Sequence, residues 1–448
     1  MYNTADNIVA LATLAGKSAL NIVRVSGSSS SKIYQQLTKT SSTPQPNLCV
    51  PKNIYGLHAD RPLDHGMIVY YRAPKSFTGE HSIEIIIHGG IIIVDKLIEA
   101  IVAMGARIAS PGEFSYRAYL NNKIDLIQAE AIASIVSAQN SIDSFYYLNA
   151  IKGNLSNSII KYNKQIDNII TLGEHELNFS DDEITKTQSA EYMLKIKAIK
   201  ANIDTIISRS YTVESTLSTV RVAIIGKPNA GKSSLFNILV GKSRSIVTNQ
   251  RGTTRDTIES DIYIGGILIK LVDTAGIRVG KTKIEKIGIV RAYEEIDRAQ
   301  IVIIIDDNSP EEIKNKLELE NKSMGILLVN NKSDLKPMAK KQSKEVHISC
   351  KNNKGIDLLS TELLTLCKGL EDNFFKSFTY LINQRQIILL KRISKELDQS
   401  IINYKATLDL TIFISSLYAA QQTFNTLVRP NDRDAILNNI FKGFCVGK

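Results

Sequence analysis

Residues 226–233 read Gly-Lys-Pro-Asn-Ala-Gly-Lys-Ser, directly after the apolar run Val222-Ala-Ile-Ile225 and before Ser234-Leu-Phe-Asn-Ile-Leu-Val240. A strand, a loop bounded by glycines at this spacing, and a helix make a P-loop. Glycine lets consecutive backbone N–H groups turn inward on phosphate oxygens, and the following helix adds the positive end of its dipole. Asn229, Ala230, Gly231, Lys232, Ser233 and Ser234 are therefore the expected phosphate cradle. In that reading Lys232 reaches the β- and γ-phosphates and the Ser233 hydroxyl is a Mg2+ ligand. From about residue 217 onward apolar runs alternate with helical stretches ("RVAIIG", "LIKLVD", "IVIIID", "GILLVN", "EVHIS"), which predicts a doubly wound parallel sheet.

The base is read downstream. Asn331-Lys332-Ser-Asp334 follows "GILLVN". The two oxygens of the Asp334 carboxylate match the adjacent N1–H and N2–H donors of guanine, whereas adenine presents an acceptor at N1. Asp273-Thr274-Ala275-Gly276 closes "LIKLVD", where the carboxylate acts through Mg2+-bound water and the glycine amide senses the γ-phosphate. Gly252-Thr253-Thr254-Arg-Asp256 reads as a switch loop, with Thr254 the candidate second Mg2+ ligand. Ser349, after "EVHI", opens a turn whose backbone amide can meet guanine O6. Four motifs in this order imply GTP. Ile277, directly after Gly276, cannot orient an attacking water as the glutamine of many GTPases does. Asn229 can offer its side-chain carbonyl to a monovalent cation instead. Glu285 is a candidate water positioner, weighed against a plain solvated helix charge.

The rest of the chain has two other textures. Residues 1 to about 120 mix short β-like runs (21–25, 67–71, 82–88) with a helix near 91–104. No proline stands between Pro111 and Pro228, and helical periodicity fills that interval and returns after about 375. This predicts a helical domain built from both flanks of an inserted nucleotide domain, with boundaries at 1–119, 120–215, 216–372 and 373–448. Four scattered cysteines in 448 residues fit free thiols in a reducing, cytoplasmic setting. The N-terminus lacks signal-peptide order, and no apolar run approaches the ~20 residues of a membrane span. A formal charge of +10 suits a polyanion such as RNA, although no dense basic tract stands out. The chain ends Lys442-Gly-Phe-Cys-Val-Gly-Lys448, after an apolar stripe (Ile436, Leu437, Ile440, Phe441, Phe444) at helical spacing. That ending predicts a thiol, Cys445, on a short arm leaving an anchored helix.

With these motifs the sequence resembles the MnmE (TrmE) family of bacterial tRNA-modification GTPases along essentially its whole length. The resemblance rests on "DNIVALAT", "ALNIVRVSG", "SFTGEHSIEIIIHGG", "SPGEFSYRAYLNNKIDLIQAEAI", Ile284-Glu-Lys-Ile-Gly288 and the closing "FCVGK". It implies an N-terminal α/β folate-binding domain, a discontinuous helical domain and an inserted Ras-like G domain. It also implies a homodimer, joined by a MnmG-like FAD protein in a heterotetramer. Together they would add an aminomethyl or carboxymethylaminomethyl group to C5 of the wobble uridine of certain tRNAs, with no membrane involved. By matching positions, Arg24, Glu84, Lys123 and Lys448 look like contacts to 5-formyl- or 5,10-methylene-tetrahydrofolate. Asn229, Thr248, Gln250 and Thr253 look like K+ ligands, Ser233 and Thr254 like Mg2+ ligands, and Glu285 and Cys445 like catalytic residues. Asn249 and Arg251 fall in the same nucleotide-facing loop, and Arg251, where the family usually has a small or apolar residue or proline, is expected to face solvent. A ribosome-assembly GTPase would share the G motifs but has no need of the N-terminal segment or the terminal cysteine. A G domain acting only as a switch would have no need of an intact Lys232, Asp273 and Glu285.

Overall fold

A computed structural model describes residues 5–57, 60–138, 140–178, 189–212, 219–242, 258–274, 294–317, 324–335, 345–430, 444 and 447. The chain divides into two units: Met1–Ser137 with Tyr147–Ile207 and Arg385–Lys448, and Ala138–Tyr146 with Ser208–Gln384.

The first unit begins with β1 (Asn7–Leu11), β2 (Leu20–Ser26), α1 (Ser30–Thr38), β3 (Cys49–Tyr55), β4 (Pro62–Tyr71), β5 (Ser82–His88), α2 (Ile91–Ala103) and β6 (Ala106–Ile108). The strands form one sheet in the order β3-β4-β5-β2-β1-β6. Neighbours are antiparallel except β1 and β6. Alternate residues of β2 and β5 (Val23 and Val25; Ile83, Ile85 and Ile87) face a core shared with Ile33 and Leu37 of α1 and Val94, Leu97 and Ile101 of α2. The pleat sends the intervening residues to the other face. There the register makes one row of Cys49, Val69, Glu84 and Arg24. The sequence pattern marks β2, β4, β5 and α2, but not β1, β3 or β6. β3 is an edge strand carrying Pro51 and Lys52, residues that blunt an edge and erase the apolar alternation.

Helices follow: α3 (Glu113–Leu120), α4 (Leu126–Ile135), α5 (Ser141–Ile151), α6 (Asn154–Asn178) and α7 (Ser189–Ser208). Asp125 caps α4 in a capping box with Gln128.

The second unit contains β7 (Ser210–Thr212), β8 (Val220–Ile225), α8 (Lys232–Lys242), β9 (Ile258–Ile264), β10 (Ile267–Asp273), β11 (Ile301–Asp306), α9 (Pro310–Lys316), β12 (Gly325–Asn330), β13 (Glu345–His347), α10 (Ile356–Ser377) and β14 (Tyr380–Ile382). Its main sheet runs β13-β12-β11-β8-β10-β9. All pairs are parallel except β9 with β10, so the doubly wound parallel sheet expected from the sequence carries one antiparallel edge strand that its pattern did not mark. Gly265 and Gly266, with φ of 58° and 87°, make the tight hairpin that allows it. β7 and β14 pair with each other, so the entry and exit of the inserted segment lie side by side, the geometry that tolerates insertion. The segment Ala138–Tyr146 belongs to this unit although it falls within the helical stretch of the sequence.

The chain returns to the first unit with α11 (Gln384–Thr407) and α12 (Leu410–Val428). Phe413, Ile414, Leu417, Phe424 and Leu427 bury one stripe of α12. Gly173 lets α6 approach it closely, since a methyl there would lie 2.3 Å from Ile414 Cδ1. Arg385, at the start of α11, holds both carboxylate oxygens of Glu130 at 2.7 and 2.9 Å and donates to the Thr426 and Leu427 carbonyls that end α12. The terminal helix expected over 436–443 lies outside the described residues; Phe444, its last apolar position, is buried. No helix among the described residues is long and apolar enough to cross a membrane.

Candidate functional site

The P-loop joins β8 to α8 and is shaped by close backbone approaches. A methyl on Gly226 would fall 2.0 Å from the Ile305 carbonyl oxygen, and one on Gly231 would fall 2.2 Å from Asn331 Nδ2. Asn229 and Gly231 take left-handed conformations, with φ of 62° and 101°, the geometry in which successive amides line a concave anion cradle. Buried Asn331 ties three motifs together. Its Nδ2 donates to the Ala230 carbonyl at 2.8 Å, and its Oδ1 accepts from the Cys350 amide at 3.1 Å. Asp334 Oδ1 accepts from Ser349 Oγ at 2.7 Å, a hydrogen bond that holds the Asp334 carboxyl below its usual range. The carboxylate expected to read the base is thus held in place by Ser349. Lys232 Nζ donates to the Gly226 and Lys227 carbonyls at 2.9 and 2.7 Å. Burial lowers its pKa, and the Asp273 carboxylate opposes that shift. Thr274 Oγ1 bonds the Ile224 carbonyl, fixing the strand end that carries fully buried Asp273. Ser233 and Ser234 are exposed at the start of α8, and Lys332 pairs with Asp307 at 2.9 Å.

The other nucleotide-facing residues named from the sequence (Thr248, Asn249, Gln250, Arg251, Gly252, Thr253, Thr254, Ala275, Gly276 and Glu285) lie outside the described residues. So do Cys445 and Lys448.

A second cluster occupies the first unit. Arg24 and Glu84, directly opposite in β2 and β5, are joined at 2.8–2.9 Å. Arg24 Nη1 also donates to the Gly447 carbonyl at 3.0 Å. The guanidinium lies 5.7 Å from the Phe114 ring centre and 6.0 Å from that of Phe77, which is 42% exposed. Tyr71 donates to the second Glu84 oxygen at 3.2 Å. Burial, and then the Glu84 charge, push the Tyr71 hydroxyl pKa up. Lys123 stands apart from the Arg24–Glu84 pair in its contacts: its Nζ donates to the Pro74 carbonyl at 3.1 Å. Asn121 bonds Thr78, so the turn that carries Lys123 is fastened to the loop that carries Phe77.

Sequence reasoning missed Tyr71 and Phe77, and it missed the charged network beneath them. Arg117 and Glu113, both almost fully buried, bond each other at 3.1 Å. Arg117 reaches Glu80, and Arg107 joins Glu113 to Asp6. Burial opposes ionisation of Glu113, yet hydrogen bonds from Arg107, the Ser110 amide and Arg117 hold its carboxyl below the usual value. The one legible trace was Glu113 and Arg117 at i, i+4 on a helix.

A P-loop locked to an asparagine–aspartate base reader, on a sheet of this order, defines a guanine-nucleotide-binding GTPase domain. The family profile described as "GTP-binding protein TrmE N-terminus" matches residues 7–123, and the one described as "MnmE helical domain" matches residues 126–445. The chain belongs to the MnmE family of tRNA modification GTPases. The MnmE of Sulfurimonas denitrificans is 34% identical over 450 residues, covering 99% of each chain. That of Aquifex aeolicus is 33% identical, over 99% of this chain and 100% of its own. Both carry the name "tRNA modification GTPase MnmE". Among solved structures, the G domain of the T. maritima FeoB iron transporter is 28% identical over 33% of this chain, at a TM-score of 0.25.

Proposed function

We propose that this tRNA modification GTPase joins a one-carbon site in its first unit to GTP hydrolysis in its second. With a MnmG-like FAD protein, it adds an aminomethyl or carboxymethylaminomethyl group to C5 of the wobble uridine. The observation that carries this reading is the Gly447 carbonyl seated on Arg24, which brings the chain terminus to the Arg24–Glu84 pair. Cys445 stands two positions before Gly447 in the sequence, and the reading gives its thiol to this site.

The residues fit a reduced folate. Glu84 presents a carboxylate, and adjacent N–H donors on an aminopyrimidine edge match two such oxygens. Phe77 offers an exposed aromatic face beside it. Arg24, joined to Glu84, fixes the polar ring, and Lys123 and Lys448 supply positive charge for the ring or for the carboxylates of the folate tail. Bound 5-formyl- or 5,10-methylene-tetrahydrofolate would supply the one-carbon unit. In the nucleotide domain, the reading gives Lys232 to the phosphates, Ser233 and Thr254 to Mg2+, and Asn229, Thr248, Gln250 and Thr253 to K+. Glu285 positions water where Ile277 cannot. The protein works as a homodimer in the cytoplasm, where its tRNA substrate is. The ribosome-assembly alternative leaves the seated terminus without a purpose.

Mass spectrometry of wobble uridine tests the whole reading in cells lacking this chain and again after its return. Unmodified uridine in the first and modified uridine in the second is the expected result, and modification indifferent to the chain would refute it. The K+ assignment predicts faster GTP hydrolysis in K+ than in Na+, with the difference kept in Arg251→Ala. Equal rates in both salts would remove it.

A further inference from the structure

Arg429 is the residue at which α12 ends; its amide bonds the Asn425 carbonyl at 2.6 Å. Its side chain leaves the helix for the turn after α3. Nη1 donates to Asn122 Oδ1 and Nη2 to the Ile124 carbonyl at 3.4 Å, while the guanidinium lies 5.3 Å from the centre of the Tyr119 ring. Burial raises the pKa of neighbouring Asp125, and the Arg429 charge is among the contacts that oppose that shift. Asn122 sits in the left-handed region, with φ of 58°, a conformation that asparagine accepts more readily than most side chains. The turn carries Lys123. On its far side it is bonded to Thr78 and Pro74, the loop of Phe77. On its near side Arg429 adds two hydrogen bonds to those that the turn's amides make to the end of α3.

Tyr119 also belongs to a buried cluster that includes a residue of the C-terminal segment. Phe444 packs in a buried cluster with Tyr116, Tyr119, Leu126 and Ala129. Arg429 lies against Tyr119, and Phe444, three positions before the Gly447 that reaches Arg24, belongs to the same buried cluster as that ring. Tyr119 and Arg429 thus lie between the Lys123 turn and the cluster that holds Phe444.

We propose that Arg429 is a positioning residue of the one-carbon site, fixing the Lys123 turn by hydrogen bonds and, through the Tyr119 ring, the cluster that seats Phe444 at the origin of the C-terminal arm. The inference rests on the folate reading above. A guanidinium suits the task because it donates in several directions while its face lies on an aromatic ring.

The test uses the full-length chain as Arg429→Met, which keeps the stem, and Arg429→Lys, which keeps the cation and part of the donor set. Hydrogen exchange at the Lys123 amide, bonded to the Ala118 carbonyl, and carboxypeptidase release of the tail report the two registered parts. Both should accelerate at least tenfold in Arg429→Met and less in Arg429→Lys, with GTP hydrolysis unchanged. The KM for 5,10-methylenetetrahydrofolate in uridine modification should rise about tenfold with kcat retained. Unchanged exchange or unchanged tail release in Arg429→Met overturns the proposal, as does a KM that stays put while both accelerate. A wild-type chain that binds no folate, measured by calorimetry with 5-formyltetrahydrofolate, refutes the folate reading instead. The exchange and tail-release arms then still decide whether Arg429 registers the two segments.

Discussion

Arg24 and Gly447, 423 positions apart, meet through one hydrogen bond from a guanidinium to a backbone carbonyl. The contact depends on glycine. Its φ is 93°, and a methyl on its α-carbon would lie 2.4 Å from the Leu11 carbonyl oxygen, inside van der Waals contact with rigid backbone. Left-handed geometry alone costs an L-residue roughly 1–2 kcal/mol. Gly447→Ala should therefore unseat the tail and lower wobble-uridine modification while GTP hydrolysis stays near wild type. Cys445→Ser should abolish modification with the tail still seated. Full modification in both variants, measured on total tRNA, would detach the terminus from the chemistry.

Lys227 pairs with Asp306 at 3.2 Å; the carboxylate is 1% exposed and the lysine 49%. Besides the lysine, Asp306 accepts from the Ser309 amide. Breaking a fully buried pair costs about 3–5 kcal/mol, and the half-exposed lysine brings the expected loss for Lys227→Met down to about 1–2 kcal/mol. The pair braces the first turn of the P-loop, so weaker GTP binding should accompany the lost stability. Urea unfolding monitored within the nucleotide domain gives the first, and a GTP titration the second. A variant as stable as wild type would make the pair ornamental.

Glu113 sets an acid limit on the first unit. Its carboxyl lies below the ordinary value of 4.5 in the folded chain. A depressed folded pKa stabilises above the unfolded value, and the benefit disappears as pH falls through the folded one. Glu113→Gln should therefore melt below wild type at pH 6, and the gap should narrow below about pH 4.5. Parallel melting curves from pH 6 to pH 3 would show that the network does not titrate as a unit.

How much of this was legible beforehand follows from where the forces act. The P-loop, the base reader and the strand–helix alternation are local patterns, and the structure has them where the sequence puts them, from Gly226 to Ser349. β9 escaped because Ile258–Ile264 mixes charge into its pattern (Glu259 and Asp261) as a sheet edge does. Arg24 was nameable only through the family resemblance. Nothing local tells an arginine opposite a glutamate, 60 positions away, from a solvated one. Tyr71, Phe77 and Arg429 act through contacts that exist only once the sheet register and the helical return are made. The resemblance named the ends of the site and left its supports to the fold.

Asp334 carries the final prediction. Its Oδ1 is held by Ser349 Oγ at 2.7 Å, and Asn331 is held separately by the Ala230 carbonyl and the Cys350 amide. Asp334→Asn should therefore leave the loop standing, because an amide oxygen can still accept from Ser349. What changes is the side facing the base, where a carboxylate oxygen becomes an N–H2 donor aimed at a guanine donor. Charge-assisted hydrogen bonds are among the stronger ones in a protein, so losing one weakens GTP binding by roughly tenfold or more. Xanthosine triphosphate carries a carbonyl where guanine has its amino group, and that oxygen accepts from the new amide. The variant should bind xanthosine triphosphate better than GTP in direct competition and hydrolyse it with the same salt dependence. An unchanged nucleotide preference would take base recognition away from Asp334 and leave it a support for Ser349.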